Sequence, residues 1–220
     1  MVRIFDVSLP ITPGEPLWPG DPPTALEPWW TIAKDGGGIV SELRVGTASG
    51  THVDSPAEFF EGGSGVDQVP LEALLGEVFV ADATGFQGEI GPEELERLGI
   101  EPGTSRLLIK TSNSERWGQD PTAFFDDYVC LAPDGAKWVV ERGIRTLGVD
   151  ALEVEVEGAP GHPVHRLLLQ NDVVVIEGLN LSEIGPGVYD LLCAPLRIVG
   201  AAGSPARVLL LEKRAEVSRS

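Results

Sequence analysis

GHPVHRLLLQNDVVVIEGLN, residues 161–180, reads as a helix followed directly by a buried strand. Pro163 suits the first turn of a helix running to about Gln170, because a first turn leaves its N–H groups without intrahelical partners. Val173 to Ile176 is an unbroken apolar run, the pattern of a strand covered on both faces. His165 falls in the first turn of that helix and Glu177 at the C-terminal end of the strand. Packed antiparallel, helix and strand return Glu177 towards His165. A carboxylate that ends a buried strand requires a partner or a metal.

Outward from this segment, alternation or Val, Ile and Leu enrichment predicts strands over Arg3 to Leu9, Ile39 to Val45, Glu77 to Ala83, Arg106 to Thr111 and Arg145 to Val149. Two more are predicted over Leu191 to Val199, interrupted by Pro195, and Ala206 to Leu211. Helices are few and short: Pro92 to Leu98 stops before Gly99, and Ala136 to Arg142, with Asp134 as its cap, stops at Gly143. The 27 Gly and 18 Pro call for tight turns and shaped loops, while 42% hydrophobic residues suffice for a core. With no internal repeat and no linker-like tract, the expected class is α/β, a compact strand-rich single domain over residues 1–220.

Lys and Arg total 16 against 34 Asp and Glu, a formal charge of −18. That balance excludes a protein built to neutralise phosphates, so neither nucleic acid nor an anionic membrane surface is an expected partner. No apolar run approaches the roughly 20 residues of a membrane span. The start, MVRIFDVSLPITPGEPLWPGD, lacks the continuous apolar stretch of a signal peptide, so the expected location is the cytoplasm. Cys130 and Cys193 share no metal-site or disulfide spacing and are read as buried hydrophobes.

The chain has 3 histidines. In SGTHVDSPAEFF, residues 49–60, His52 and Asp54 are two apart and emerge on one side of an extended segment; Glu58 shares their parity beyond Pro56. Together with His165 and Glu177 they make a mixed N and O set suited to zinc, manganese or iron rather than calcium. Spacing alone does not separate such a pair from an ordinary hydrogen-bonded His and Asp.

GTHVDSP resembles the core of the HxGTHxDxPxH signature of the cyclase family, whose best-known members are the bacterial kynurenine formamidases. PLWPGDPP, VDQVPLEALLGEVFVAD, LLIKTSN and HRLLLQNDVVVIEGLNL resemble family segments in the family's order, so the likeness covers about residues 3–200. The resemblance implies a swivelling β/β/α type of fold, a homodimer or higher homo-oligomer, and a small-molecule substrate. It also implies that His52, Asp54, His165 and Glu177 are metal ligands and that Trp18 contacts substrate, although Trp18 in its Pro-rich loop also fits a plain packing role. His162 matches no family role and is read as a helix-entry residue.

Two positions depart from the signature. Its first histidine falls at Ala48, which removes one ligand, and its last, the family's acid and base, falls at Glu58. Glu58 is therefore either the catalytic proton carrier or a replacement ligand. With Ala48 in place, one divalent ion per chain is favoured over two, zinc ahead of manganese. The implied activity is metal-dependent hydrolysis of a carbon–nitrogen bond, with N-formyl-L-kynurenine giving kynurenine and formate. The alternatives are a cyclic amide hydrolase of the isatin-hydrolase kind, or a binding protein without turnover.

Overall fold

The apolar runs in the middle and second half of the chain form the parallel centre of one mixed sheet. The computed structural model describes residues 2–119 and 124–212, and twelve strands occur among them. They are β1 (Arg3–Asp6), β2 (Ala25–Trp30), β3 (Val40–Arg44), β4 (His52–Asp54), β5 (Leu75–Asp82), β6 (Glu89–Ile90), β7 (Arg106–Lys110), β8 (Cys130–Leu131), β9 (Thr146–Val149), β10 (Val174–Glu177), β11 (Gly187–Pro195) and β12 (Gly203–Glu212). Six short helices accompany them: α1 (Ile32–Asp35), α2 (Leu71–Leu74), α3 (Pro92–Glu96), α4 (Asn113–Gln119), α5 (Pro133–Glu141) and α6 (Pro163–Leu169).

Eight strands run in the order β1-β12-β11-β5-β7-β9-β10-β4, and a further pairing of β12 with β4 closes the sheet into a barrel. β5, β7, β9 and β10 are mutually parallel, and the remaining neighbours are antiparallel. β7, β9 and β10 are buried on both faces along most of their length, which is why they are rich in Leu, Ile and Val, whereas β5 is exposed in its first half. Outside the barrel, Leu107, Ile109, Leu147 and Val175 pack with Leu95 of α3, Val139 of α5 and Leu168 of α6. Inside it, Val53, Val80, Leu108, Ile176, Leu191 and Leu210 form a second core. At Gly148, within β9, any side chain would run into Leu108 and Leu179, so only glycine fits the wall.

Every strand expected from the sequence is present, with shifted ends. The strand expected over Leu191 to Val199 runs from Gly187 and stops at Pro195, where the missing N–H ends the ladder. The first strand ends at Asp6, leaving only a bridge from Ser8 to Leu179. α5 starts at Pro133, so Asp134 lies in its first turn and Ala132 holds the cap position expected for Asp134. The β2–β3 hairpin lies apart from the barrel as a two-stranded arm, exposed along nearly its whole length. No helix among the described residues is long and apolar enough to cross a membrane. Cys130 and Cys193 are buried and free.

Candidate metal centre

β4 and β10 pair antiparallel, with His52 opposite Glu177. That register is held at both ends of the pair. Gly178 sits at φ +66°, in the left-handed region, where a Cβ would collide with the Gly50 carbonyl, so the chain after Glu177 passes directly over the chain before His52. The Thr51 hydroxyl donates to the Gly178 carbonyl at 2.5 Å and accepts from the Leu9 N–H at 2.7 Å. α6 then lays His165 beside the end of β10, the return expected from helix and strand packing.

Four of the side chains singled out in the sequence meet here, and all four are buried: His52, Asp54, His165 and Glu177. His52 Nε2 lies 3.1 Å from Glu177 Oε2 and 3.6 Å from Asp54 Oδ1. His165 Nε2 lies 3.2 Å from Glu177 Oε1 and 3.8 Å from Asp54 Oδ2. Each imidazole is held from behind through Nδ1: His52 at 3.0 Å from the Gly50 carbonyl, His165 at 2.7 Å from Glu155 Oε1. Both Nε2 atoms therefore point inward, the arrangement that metal-ligating histidines adopt.

The centre buries ionisable groups of both signs against one another. Among the described residues, both oxygens of Asp54 are buried without a well-formed hydrogen bond: the imidazoles stand off at 3.6 and 3.8 Å, and the Glu58 carboxyl interacts with it from the side. Burial and the neighbouring Glu177 raise the Asp54 pKa to about 6 against the pull of both imidazoles. Glu177 is held at about 2, because His165 and His52 outweigh its burial, and its Oε1 also accepts the Val154 N–H at 2.6 Å. Burial alone would lower the His52 pKa, yet Asp54 and Glu177 lift it to about 10; His165 is raised well above its ordinary value in the same way. Inward Nε2 atoms facing a buried carboxylate that lacks well-formed hydrogen bonds fit a divalent cation of the zinc or manganese kind.

Glu58 ends the short 3₁₀ turn Pro56–Glu58 and is the one carboxyl of the group that opens to solvent. The surrounding protein, with Asp54 and Glu177, pushes its pKa up to about 9. Ala48 is half-buried in the loop before β4 and contributes no donor. Trp18 is half-buried too, its ring edge-on to Phe124 at 5.8 Å and to Tyr128 at 6.1 Å. This aromatic group lines a small pocket with Trp117, Phe125 and Leu152, next to the segment that carries Glu153 and Glu155.

Those two glutamates were missed in the sequence. Glu153 Oε1 lies 3.2 Å from His165 Nδ1, and burial with the nearby Glu177 raises the Glu153 pKa to about 8. They alternate with Leu152, Val154 and Val156, a period-two signal that could have placed both carboxylates on one side. His162 takes the N-cap position of α6 at φ 50°, half in solvent, with Nδ1 3.1 Å from Glu155 Oε1.

Comparison with known proteins agrees with this geometry. The Cyclase family model, described as "Putative cyclase", matches residues 5–156. The chain is 30% identical over 211 residues to a kynurenine formamidase of Erythrobacter litoralis (strain HTCC2594), covering 96% of this chain and 94% of the relative. A solved structure described as a "Potential Metal-Dependent Hydrolase With Cyclase Activity" superposes with a TM-score of 0.84 at 32% identity, covering 98% of this chain and 100% of the other. Isatin hydrolase A from Labrenzia aggregata superposes with a TM-score of 0.82 at 25% identity, over 97% and 94% of the two chains. A family match across most of the chain, a full-length relative and a shared fold lead to one assignment: this chain belongs to the cyclase family and is a hydrolase of that family.

Proposed function

We propose that the chain is a metal-dependent amidohydrolase that cleaves an aryl formamide, with N-formyl-L-kynurenine as substrate and kynurenine and formate as products. The observation that carries the reading is the buried Asp54 carboxylate, short of well-formed hydrogen bonds, between two imidazoles whose Nε2 atoms face it, with Glu58 on the solvent side. The kynurenine formamidase relative supports the substrate class.

His52, Asp54 and Glu177 bring ligand atoms within 4.8 Å of one another, and with His165 set against the other oxygens of the two carboxylates they would hold one divalent ion, zinc ahead of manganese, because Ala48 offers no further imidazole. When bound, that ion supplies Lewis acidity to the water and to the carbonyl. The rest of the work falls to side chains. Burial and the neighbouring carboxylates raise the Glu58 pKa in the absence of a cation; with the cation's charge offsetting them the carboxyl would ionise, take a proton from the attacking water and return it to the nitrogen as the carbon–nitrogen bond breaks. An aniline nitrogen is a good leaving group for this step. The aromatic group of Trp18, Phe124 and Tyr128 offers an apolar wall for the ring of such a substrate.

The chain works as a homodimer, a reading supported by the β2–β3 arm, which exposes Leu26, Trp29, Trp30, Ile39, Val40 and Leu43. Sedimentation of the wild type and of Trp29→Ser tests it; a wild type that sediments as a monomer at micromolar concentration overturns it.

Metal analysis of the purified protein beside a panel of N-formyl-L-kynurenine, formanilide and isatin tests the activity. The expected result is one ion per chain and release of formate. Ring opening of isatin without formate release would favour the cyclic amide reading, which the likeness to isatin hydrolase A supports. A bound ion without turnover of any of the three would leave a binding protein.

A further inference from the structure

We propose that Glu155 is a positioning residue for the metal centre: its carboxylate holds the Nδ1–H of His165, so that Nε2 faces Asp54 and Glu177 with its lone pair free. The inference rests on the metal-centre reading above and deepens it.

A neutral imidazole carries one N–H; carboxylates flank both nitrogens of His165, Glu177 at 3.2 Å from Nε2 and Glu155 at the shorter 2.7 Å from Nδ1, and the shorter contact favours the proton on Nδ1. Glu155 Oε1 lies 2.7 Å from His165 Nδ1, and the residue is 1% exposed, so water does not compete for that contact. Its other oxygen, Oε2, accepts the N–H of Val164 at 2.9 Å, in the first turn of the helix that carries His165. One carboxylate thus fixes both the ring and the start of its helix. From the far side the Tyr128 hydroxyl donates to the Glu155 carbonyl at 2.7 Å, which ties the residue to the aromatic group. Phe59 stacks on the His165 ring at 4.7 Å between centroids. With the ring plane set by Phe59, the choice left to His165 is which nitrogen faces inward, and Glu155 makes that choice.

The two histidines differ in this respect. His52 is held through Nδ1 by a neutral carbonyl, that of Gly50, whereas His165 is held by a charged acceptor. A carboxylate behind the ring makes a stronger hydrogen bond and a more basic Nε2. Glu153 lies close by but is 15% exposed, and its buried Oε1 lacks a hydrogen-bond partner, so it is not the group that orders the ring.

The test is a zinc titration of metal-stripped protein against a fluorescent chelator, for the wild type, Asp54→Asn and Glu155→Gln. A second readout is the imidazole N–H spectrum of zinc-loaded, ¹⁵N-histidine-labelled protein, where only 3 histidines contribute. Glu155→Gln keeps an acceptor oxygen and removes the charge. It is expected to weaken zinc binding by about 10- to 100-fold and to move the His165 Nδ1 proton upfield with faster exchange. The wild-type spectrum needs no variant and stands if Glu155→Gln fails to fold: the His165 proton must reside on Nδ1 and be protected.

A proton on Nε2, or unchanged zinc affinity in Glu155→Gln while Asp54→Asn loses binding, would overturn the positioning role and leave the centre standing. Two ions in the wild type, one of them lost in Glu155→Gln, would make Glu155 a ligand and also overturn it. A wild type that binds no divalent ion would overturn the centre and this role together.

Discussion

Asp54 and Glu155 approach the same imidazole from opposite sides, and both are shut off from solvent, at 2% and 1% exposure. Glu155 faces donors in both histidines of α6 and in the backbone at its start, and its pKa is lowered because those contacts outweigh its burial. Asp54 accepts no hydrogen bond from the backbone, its imidazole neighbours stand off at 3.6 and 3.8 Å, and burial raises its pKa to about 6. A satisfied buried carboxylate is a structural member, whereas an unsatisfied one costs the fold free energy unless a cation arrives. The difference separates the side of His165 that is finished by folding from the side that folding leaves open.

The largest effect that could break this contrast is at Asp54. Asp54→Ala is expected to reduce metal content to background and to abolish formate release, read by elemental analysis and product assay; full activity in that variant would place the site elsewhere. Next comes Glu58→Gln, which keeps size and removes the proton carrier. It should lower turnover by roughly 10²-fold with metal content unchanged. A loss of metal restored by excess ion would instead make Glu58 a ligand.

The pH dependence of metal binding is a smaller effect, with the sign of any histidine site but extending to higher pH than at a surface histidine. With the His52 pKa lifted to about 10, a proton occupies the group at neutral pH and the ion must displace it. Apparent affinity should rise by about tenfold per pH unit for each proton displaced, up to that pKa, and fall as pH is lowered. Chelator competition across pH measures the slope, and a flat profile would show that no histidine takes part.

The smallest effect is on stability without metal. A raised carboxylate pKa means that folding disfavours the ionised form, so at pH 7 the Asp54 charge is destabilising and Asp54→Asn should raise the melting temperature. The Glu155 pKa is lowered, so its charge contributes stability above its unfolded pKa that is lost as pH falls, and Glu155→Gln should lower the melting temperature. Each kcal/mol corresponds to about 2–4 °C in a chain of this size. Shifts of the same sign for both variants would erase the contrast.

The sequence by itself determined the elements with strong local signals. The apolar run before Glu177 reads as a buried strand and Pro163 as the opening of a helix, and the structure has both, packed so that His165 and Glu177 meet. The parity of His52 and Asp54 followed from the pleat in the same way. Three features came only from the tertiary structure. Barrel closure joins β4 to β12 across some 150 residues, and no local pattern encodes a pairing between strands so far apart. The β2–β3 arm carries apolar residues on exposed faces, against the rule that makes strands legible. Glu153 and Glu155 lie in an irregular stretch after β9, where period-two alternation carries no structural guarantee; which carboxylate would be satisfied was decided by what α6 and Tyr128 present to it. Periodicity fixes which way a side chain points along its own element. Only the packing of one element on another fixes whether a buried charge meets a donor or an open space.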